Sequence, residues 1–232
     1  MSYRSTVLIV GASRGLGLAL AREYLRRGWQ VVATVRDLHQ HTGLQALQAE
    51  AGDTLEIEAV DIADQAQIAA LRERLGQREF DVLFVNAGVT NTPTETIGEV
   101  STEEFMRVMV TNALSPMRVV ERFIDRVLAT GQVVVMSSEL ASIASNVDGG
   151  WEVYRASKAA LNTLMRSFVA RRAGDPRTFC VMAPGWVRTD MGGSEAPLDI
   201  ETSIPRVVDT LAARQGTRGL VFVNYLNEIL PW

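Results

Sequence analysis

The stretch that most constrains this chain is the apolar run Thr6 to Val10. It leads into Gly11-Ala12-Ser13-Arg14-Gly15-Leu16-Gly17 and then an amphipathic segment to about Arg27. A short β-branched run that ends at a glycine reads as a buried parallel strand. The glycines allow a tight turn and let backbone N–H groups approach a pyrophosphate at a helix N-terminus. Their spacing is G-x-x-x-G-x-G, not the commoner G-x-G-x-x-G. Such turns also serve packing alone, so the meaning of this one depends on the rest of the chain.

The pattern recurs. Strands are predicted at 30–35, 55–60, 80–85, 132–136, 178–183 and 219–225. Between them fall helices at 44–51, 65–75, 101–128 and 204–214, and one that carries Tyr154 and runs to Arg172. Alternation of this length implies βαβ units with right-handed crossovers. The expected fold is therefore a Rossmann-like, doubly wound α/β sandwich, with a mostly seven-stranded parallel sheet and helices on both faces. With 232 residues, 47% of them hydrophobic, the chain supports one sizeable core and a single domain over 1–232.

A net charge of −4 without basic blocks argues against nucleic acid or an anionic membrane as the main partner. The one cysteine, Cys180, excludes an internal disulfide framework. A strand from Thr6 leaves no room for a leader, and no apolar run nears the ~20 residues of a membrane span. The expected location is the cytoplasm.

The second strand ends at Val35, where a dinucleotide fold often carries an acid for the ribose 2′-OH, and Arg36 follows. Asp37 also suits the spacing expected of that acid. We read Arg36, with Arg14 and Ser13, as a phosphate clamp. Asp61 closes the third strand, where it can accept from an adenine amino group or cap the next helix. In the long helix Pro116 has no N–H for the Asn112 carbonyl, so a kink is expected there. The freed carbonyl can hold an ordered water; a plain packing kink gives the same pattern.

Tyr154 and Lys158 are one helical turn apart on one face. Alone, Y-x-x-x-K is common on solvated helices. Here, though, Lys158 is the only lysine among 23 basic residues, and arginine cannot be tuned as lysine can. An ammonium about 4 Å from the phenol contributes roughly 4 kcal/mol at an effective dielectric near 20. That would draw the phenol toward neutrality and make it an acid–base group.

Together GASRGLG, Asn86-Ala87-Gly88, Asn112, Ser138, Tyr154/Lys158 and Pro184-Gly185 resemble the short-chain dehydrogenase/reductase family over essentially the whole chain. Within it, 149–162, 184–199 and the closing NYLNEILPW resemble the C-factor-like carbonyl reductases. The resemblance implies NADP(H)-dependent hydride transfer between a carbonyl and an alcohol. Tyr154 would exchange the proton, Ser138 orient the oxygen, Lys158 lower the tyrosine pKa and bond the nicotinamide ribose, and Asn112 hold a relay water. Gly11, Arg14, Gly15 and Gly17, with Ser13 and Leu16, would wrap the phosphates, and Arg36 would mark NADP preference. Asp61 and Ile62 would meet the adenine, and Asn86, Ala87 and Gly88 the adenosine ribose. Pro184, Gly185, Val187 and Thr189 would meet the nicotinamide end.

Three departures stand out: Val85 replaces an asparagine, Val10 a threonine, and Leu226-Asn227 a glycine-containing turn. The substrate cavity is expected between loops 89–100, 139–153 and 186–203, with Trp151 and Trp186 as apolar walls and a small, uncharged substrate. A homodimer, or a tetramer built from it, is expected through Met106, Met109, Leu161 and Met165. The alternative to an enzyme is a dinucleotide-binding signalling protein of the C-factor type.

Overall fold

The computed structural model describes residues 4–40 and 42–232. Seven strands form one parallel sheet: β1 (Thr6–Val10), β2 (Gln30–Val35), β3 (Leu55–Ala59), β4 (Phe80–Val85), β5 (Val127–Met136), β6 (Thr178–Ala183) and β7 (Gly219–Asn224). Their order is β3-β2-β1-β4-β5-β6-β7, so the winding reverses between β1 and β4. In such sheets a crevice opens outside the carboxyl ends of the strands at that point.

Alternation along each strand feeds two cores. Leu8, Val10, Leu83 and Val85 pack on one face, under α3 (Gln65–Leu75), α5 (Ser115–Phe123) and α6 (Glu152–Ala170). Val7, Ile9, Val82 and Phe84 pack on the other, under α1 (Gly15–Arg26), α2 (Gly43–Ala51) and α7 (Ile200–Arg214). Both substituted positions are spent here, since Val10 and Val85 are buried core. Asn86 makes the link at the end of β4 instead, its Nδ2 donating to the Gly11 carbonyl at 2.6 Å.

The expected helix 101–128 is four pieces. After α4 (Thr102–Met109) comes a wide π-turn at Val110–Leu114, then α5, then a short 3-10 turn that ends before β5 begins at Val127. Asn112 sits in the π-turn and Pro116 in the first turn of α5, so the missing proline donor is absorbed by widening the helix. Helix α7 starts earlier than expected, at Ile200, because Asp199 accepts from Thr202 N at 2.7 Å and caps it. The C-terminal segment turns at Asn227, whose φ of 65° suits asparagine, and runs back along β7, with Leu230 N donating to Phe222 O at 2.9 Å.

The dimer surface needs correcting. Leu161 and Met165 are buried in the chain's own core, packed under the sheet by α6. The apolar side chains that stay exposed on these helices are Met106, Leu114 and Leu164.

Candidate active site

Tyr154 and Lys158 lie on the buried side of α6. Lys158 Nζ donates to the Met136 carbonyl at 2.9 Å, at the end of β5, and stands 5.8 Å from the Tyr154 ring centre. Ser138, just past β5, faces Tyr154 closely enough to lower its pKa, and its Oγ accepts from Leu140 N at 3.1 Å. The end of β5 and the first turns of α6 thus bring the three groups together.

Asn112 is fully buried and its side chain is saturated. Oδ1 accepts from Val89 N at 2.8 Å, while Nδ2 donates to Val89 O at 2.8 Å and Ser157 Oγ at 3.0 Å. Ser157 passes the link on, donating to the Tyr154 carbonyl at 2.7 Å. With both amide hydrogens used, the side chain braces the exit of β4 against α6.

The electrostatics differ from the expectation of a phenol drawn toward neutrality. Burial pushes Tyr154 up to about 12, offset only in part by the Ser138 hydroxyl facing it. Burial also pulls Lys158 down to about 8. Lost solvation of each charged form outweighs their attraction, and the ammonium's bonded partner is a neutral carbonyl. Without cofactor, Tyr154 is a protonated donor.

A stability profile follows from the lysine. Its ammonium titrates near 8 when folded against an ordinary 10.5. Between those values the unfolded chain holds more protons, so the cost of burying the charge, full below pH 8, is relieved as pH rises. Stability of the cofactor-free protein should climb from pH 8 to 10 by up to about 1.4 kcal/mol per pH unit from this group. Denaturant midpoints for wild type and Lys158→Met check this. The wild type should gain on the variant across that window, and parallel profiles would contradict it.

A cleft of about 410 Å³ runs over the ends of β1 and β4 and reaches Tyr154 and Lys158. At its floor Gly11 has a φ of 90°, and a Cβ there would lie 2.7 Å from Ala87. Gly15, Leu16, Asn86, Ala87 and Gly88 continue the wall. Ser13, Arg14 and Arg36 line it too, as do Asp61 and Ile62. Asp37 is turned into its own loop, accepting from His39 N at 2.9 Å. Helix α3 is capped by Asp64, while Asp61 lines the cleft with its Oδ1 accepting from Ala63 N at 2.9 Å; Asp37 does not line the cleft. A side-chain-free floor beside two guanidiniums fits a dinucleotide with an added phosphate on its adenosine ribose. Pro184 and Thr189 close the other end. Gly17, Gly185, Val187 and Asn112 support the wall from behind: Gly17 sits against Gly11 and Asn86, Gly185 against Leu198 and Tyr225, and Val187 bridges Leu198.

Four further participants escaped the sequence reading. Thr34 Oγ1 accepts from Gly11 N at 3.0 Å and holds the turn. Arg107 lines the cleft from α4, tied to Glu104 and to the Thr90 carbonyl. Asp190 pairs with Arg14 at 2.6 Å, so the expected clamp arginine is engaged across the cleft mouth. Ser157 is the fourth; its only signal was a place within the Tyr-to-Lys turn.

The family model described as short chain dehydrogenase matches residues 5–198. The chain belongs to the short-chain dehydrogenase family. This short-chain dehydrogenase is similar to a Burkholderia multivorans chain described as a short-chain dehydrogenase/reductase with bound NADP. The TM-score is 0.97 at 53% identity, covering 99% of this chain and 100% of that one. It is also similar to a carbonyl reductase from Pseudomonas aeruginosa PAO1 in complex with NADP, with a TM-score of 0.92 at 40% identity over 99% and 100% of the two chains. C-signal of Myxococcus xanthus is 36% identical over 157 residues, 66% of this chain and 92% of that protein. Among the described residues no helix is long and apolar enough to cross a membrane.

Proposed function

We propose that this short-chain dehydrogenase is an NADP(H)-dependent oxidoreductase that interconverts a carbonyl and an alcohol. The observation that carries the reading is the Tyr154 phenol, facing Ser138 and one turn from Lys158, at the end of a cleft that fits a phosphorylated dinucleotide. When bound, NADPH supplies the hydride. Ser138 holds the substrate oxygen, and Tyr154 gives up its proton as negative charge develops there. A phenol with a raised pKa suits a donor. Lys158, an ammonium titrating near 8, releases a proton readily and would pass it toward Tyr154 through a ribose hydroxyl. The Asn112 main-chain carbonyl holds the water that returns the proton.

Support for NADP comes from Arg36 and Arg14 on the cleft and from the NADP seen in the Burkholderia and Pseudomonas proteins. NADPH should bind more tightly than NADH. Arg36→Ala should weaken NADPH by about 10-fold or more, the loss of one charge-assisted contact, and leave NADH little changed. Calorimetric titration checks this; equal affinities in the wild type would restore Asp37 as a ribose ligand.

The similarity to C-signal supports a second reading, a dinucleotide-binding signalling protein with little turnover. Tight NADPH binding without turnover on any carbonyl would favour it. The reading includes one dinucleotide-binding domain and a homodimer or tetramer in the cytoplasm. Its contact surface would be drawn from Met106, Leu114 and Leu164, with sedimentation velocity as the test.

A further inference from the structure

Three consecutive residues before α6, Gly149, Gly150 and Trp151, have positive φ angles of 68°, 67° and 53°. Glycine accepts that conformation freely, whereas a bulky aromatic residue there is an outlier held in place by its surroundings. Trp151 is held at both ends. Its N–H donates to the Pro93 carbonyl at 3.2 Å, and its carbonyl accepts from Arg155 N at 2.8 Å. Gly150 and Glu152, its neighbours, face a second cavity beside Arg155, Ala156 and Ala159. The indole instead meets the Tyr154 ring edge-on, with centres 5.8 Å apart and planes at 66°.

The turn into α6 would be served by glycine or asparagine at 151, and two glycines already precede it. A tryptophan kept in a strained backbone with its ring against the proton donor is accounted for by the ring itself. Two carboxylates of the surrounding loops are bonded within the chain: Glu152 accepts from Ile97 N at 2.8 Å, and Glu95 from Asn91 Nδ2 at 3.0 Å. Trp186 and Met191 present exposed apolar surface from the loop after β6.

We propose that Trp151 is a specificity-determining residue that selects carbonyl compounds with a flat apolar group, such as an aryl ring, beside the carbonyl. The inference rests on the reductase reading above. The indole packs T-shaped beside the phenol and offers a flat apolar wall on which an aryl group stacks while the oxygen reaches Ser138 and Tyr154.

The test compares wild type, Trp151→Asn and Trp151→Phe with an aryl methyl ketone and with propanal. Asparagine tolerates the left-handed backbone and removes the ring. Its variant should melt at or above the wild-type temperature, yet lose about 10-fold or more in kcat/KM for the aryl ketone. The ratio of its kcat/KM for the aryl ketone to that for propanal should fall by about 10-fold. Trp151→Phe should recover most of the aryl preference. If both substrates fall together, or neither falls, Trp151 is not the selector. If wild type turns over other carbonyl compounds but not the aryl ketone, the inference fails while the reductase reading stands; if it binds NADPH but reduces no carbonyl compound, the reading fails and the inference with it.

Discussion

Lys158→Arg should leave the fold intact and lower kcat by about 10²-fold or more, the scale of misplacing a catalytic group. If the position asked only for positive charge, arginine would serve, and this chain uses arginine everywhere else. The surroundings say otherwise. Lys158 is 3% exposed, its Nζ is tied to the Met136 carbonyl, and a Cβ on Gly88 would already lie 3.4 Å from it. A planar guanidinium is bulkier, has a rigid fork of donors and stays charged at every working pH. It can neither sit in that space nor take up and release a proton as an amine near pKa 8 does. Circular dichroism should match the wild type, while the pH–rate profile should lose the limb set by the lysine. Near-wild-type kcat with an unchanged profile would make the lone lysine an accident of composition.

Gly17→Ala should be as damaging, by another route. Its new Cβ would overlap the Gly11 carbonyl and lie 2.7 Å from Asn86 Nδ2 and 2.8 Å from Ala12 Cα. None of these is the loose end of a flexible side chain. Asn86 is bound to that same carbonyl at 2.6 Å, and Ala12 N is bound to Thr34 O at 2.8 Å. The turn must shift, which costs about 1–3 kcal/mol as overpacking and withdraws the backbone donors from the cleft. NADPH affinity should fall by roughly 100-fold. Gly98→Ala, with open space around its Cβ, is the control and should bind as wild type does. Undiminished binding by the Gly17 variant would mean that the glycine turn serves packing alone.

Much of this was legible in the sequence because it is local. Continuous apolar, β-branched runs and glycine punctuation placed the strands, and one helical turn placed Lys158 beside Tyr154. What escaped depends on residues far apart in the chain. The Asn112 brace spans 23 residues to Val89 and 45 to Ser157, and the Arg14–Asp190 pair spans 176. No spacing rule reaches that far. The apolar surplus on α6 suggested a dimer face, but Leu161 and Met165 are covered by the chain's own sheet. The direction of the Tyr154 shift was misjudged for a related reason. Charge proximity can be read from a motif, whereas burial of both groups is a property of the assembled core, and here burial dominates.

The central claim is that Tyr154 protonates a carbonyl oxygen while NADPH supplies the hydride. The most direct measurement follows the near-ultraviolet absorbance of NADPH with a panel of aldehydes, ketones and quinones, wild type beside Tyr154→Phe. Wild type should consume NADPH steadily with at least one member. The phenylalanine variant should still bind NADPH yet turn over about 10³-fold more slowly. Tight binding without consumption by the wild type, or full turnover by Tyr154→Phe, would contradict the account.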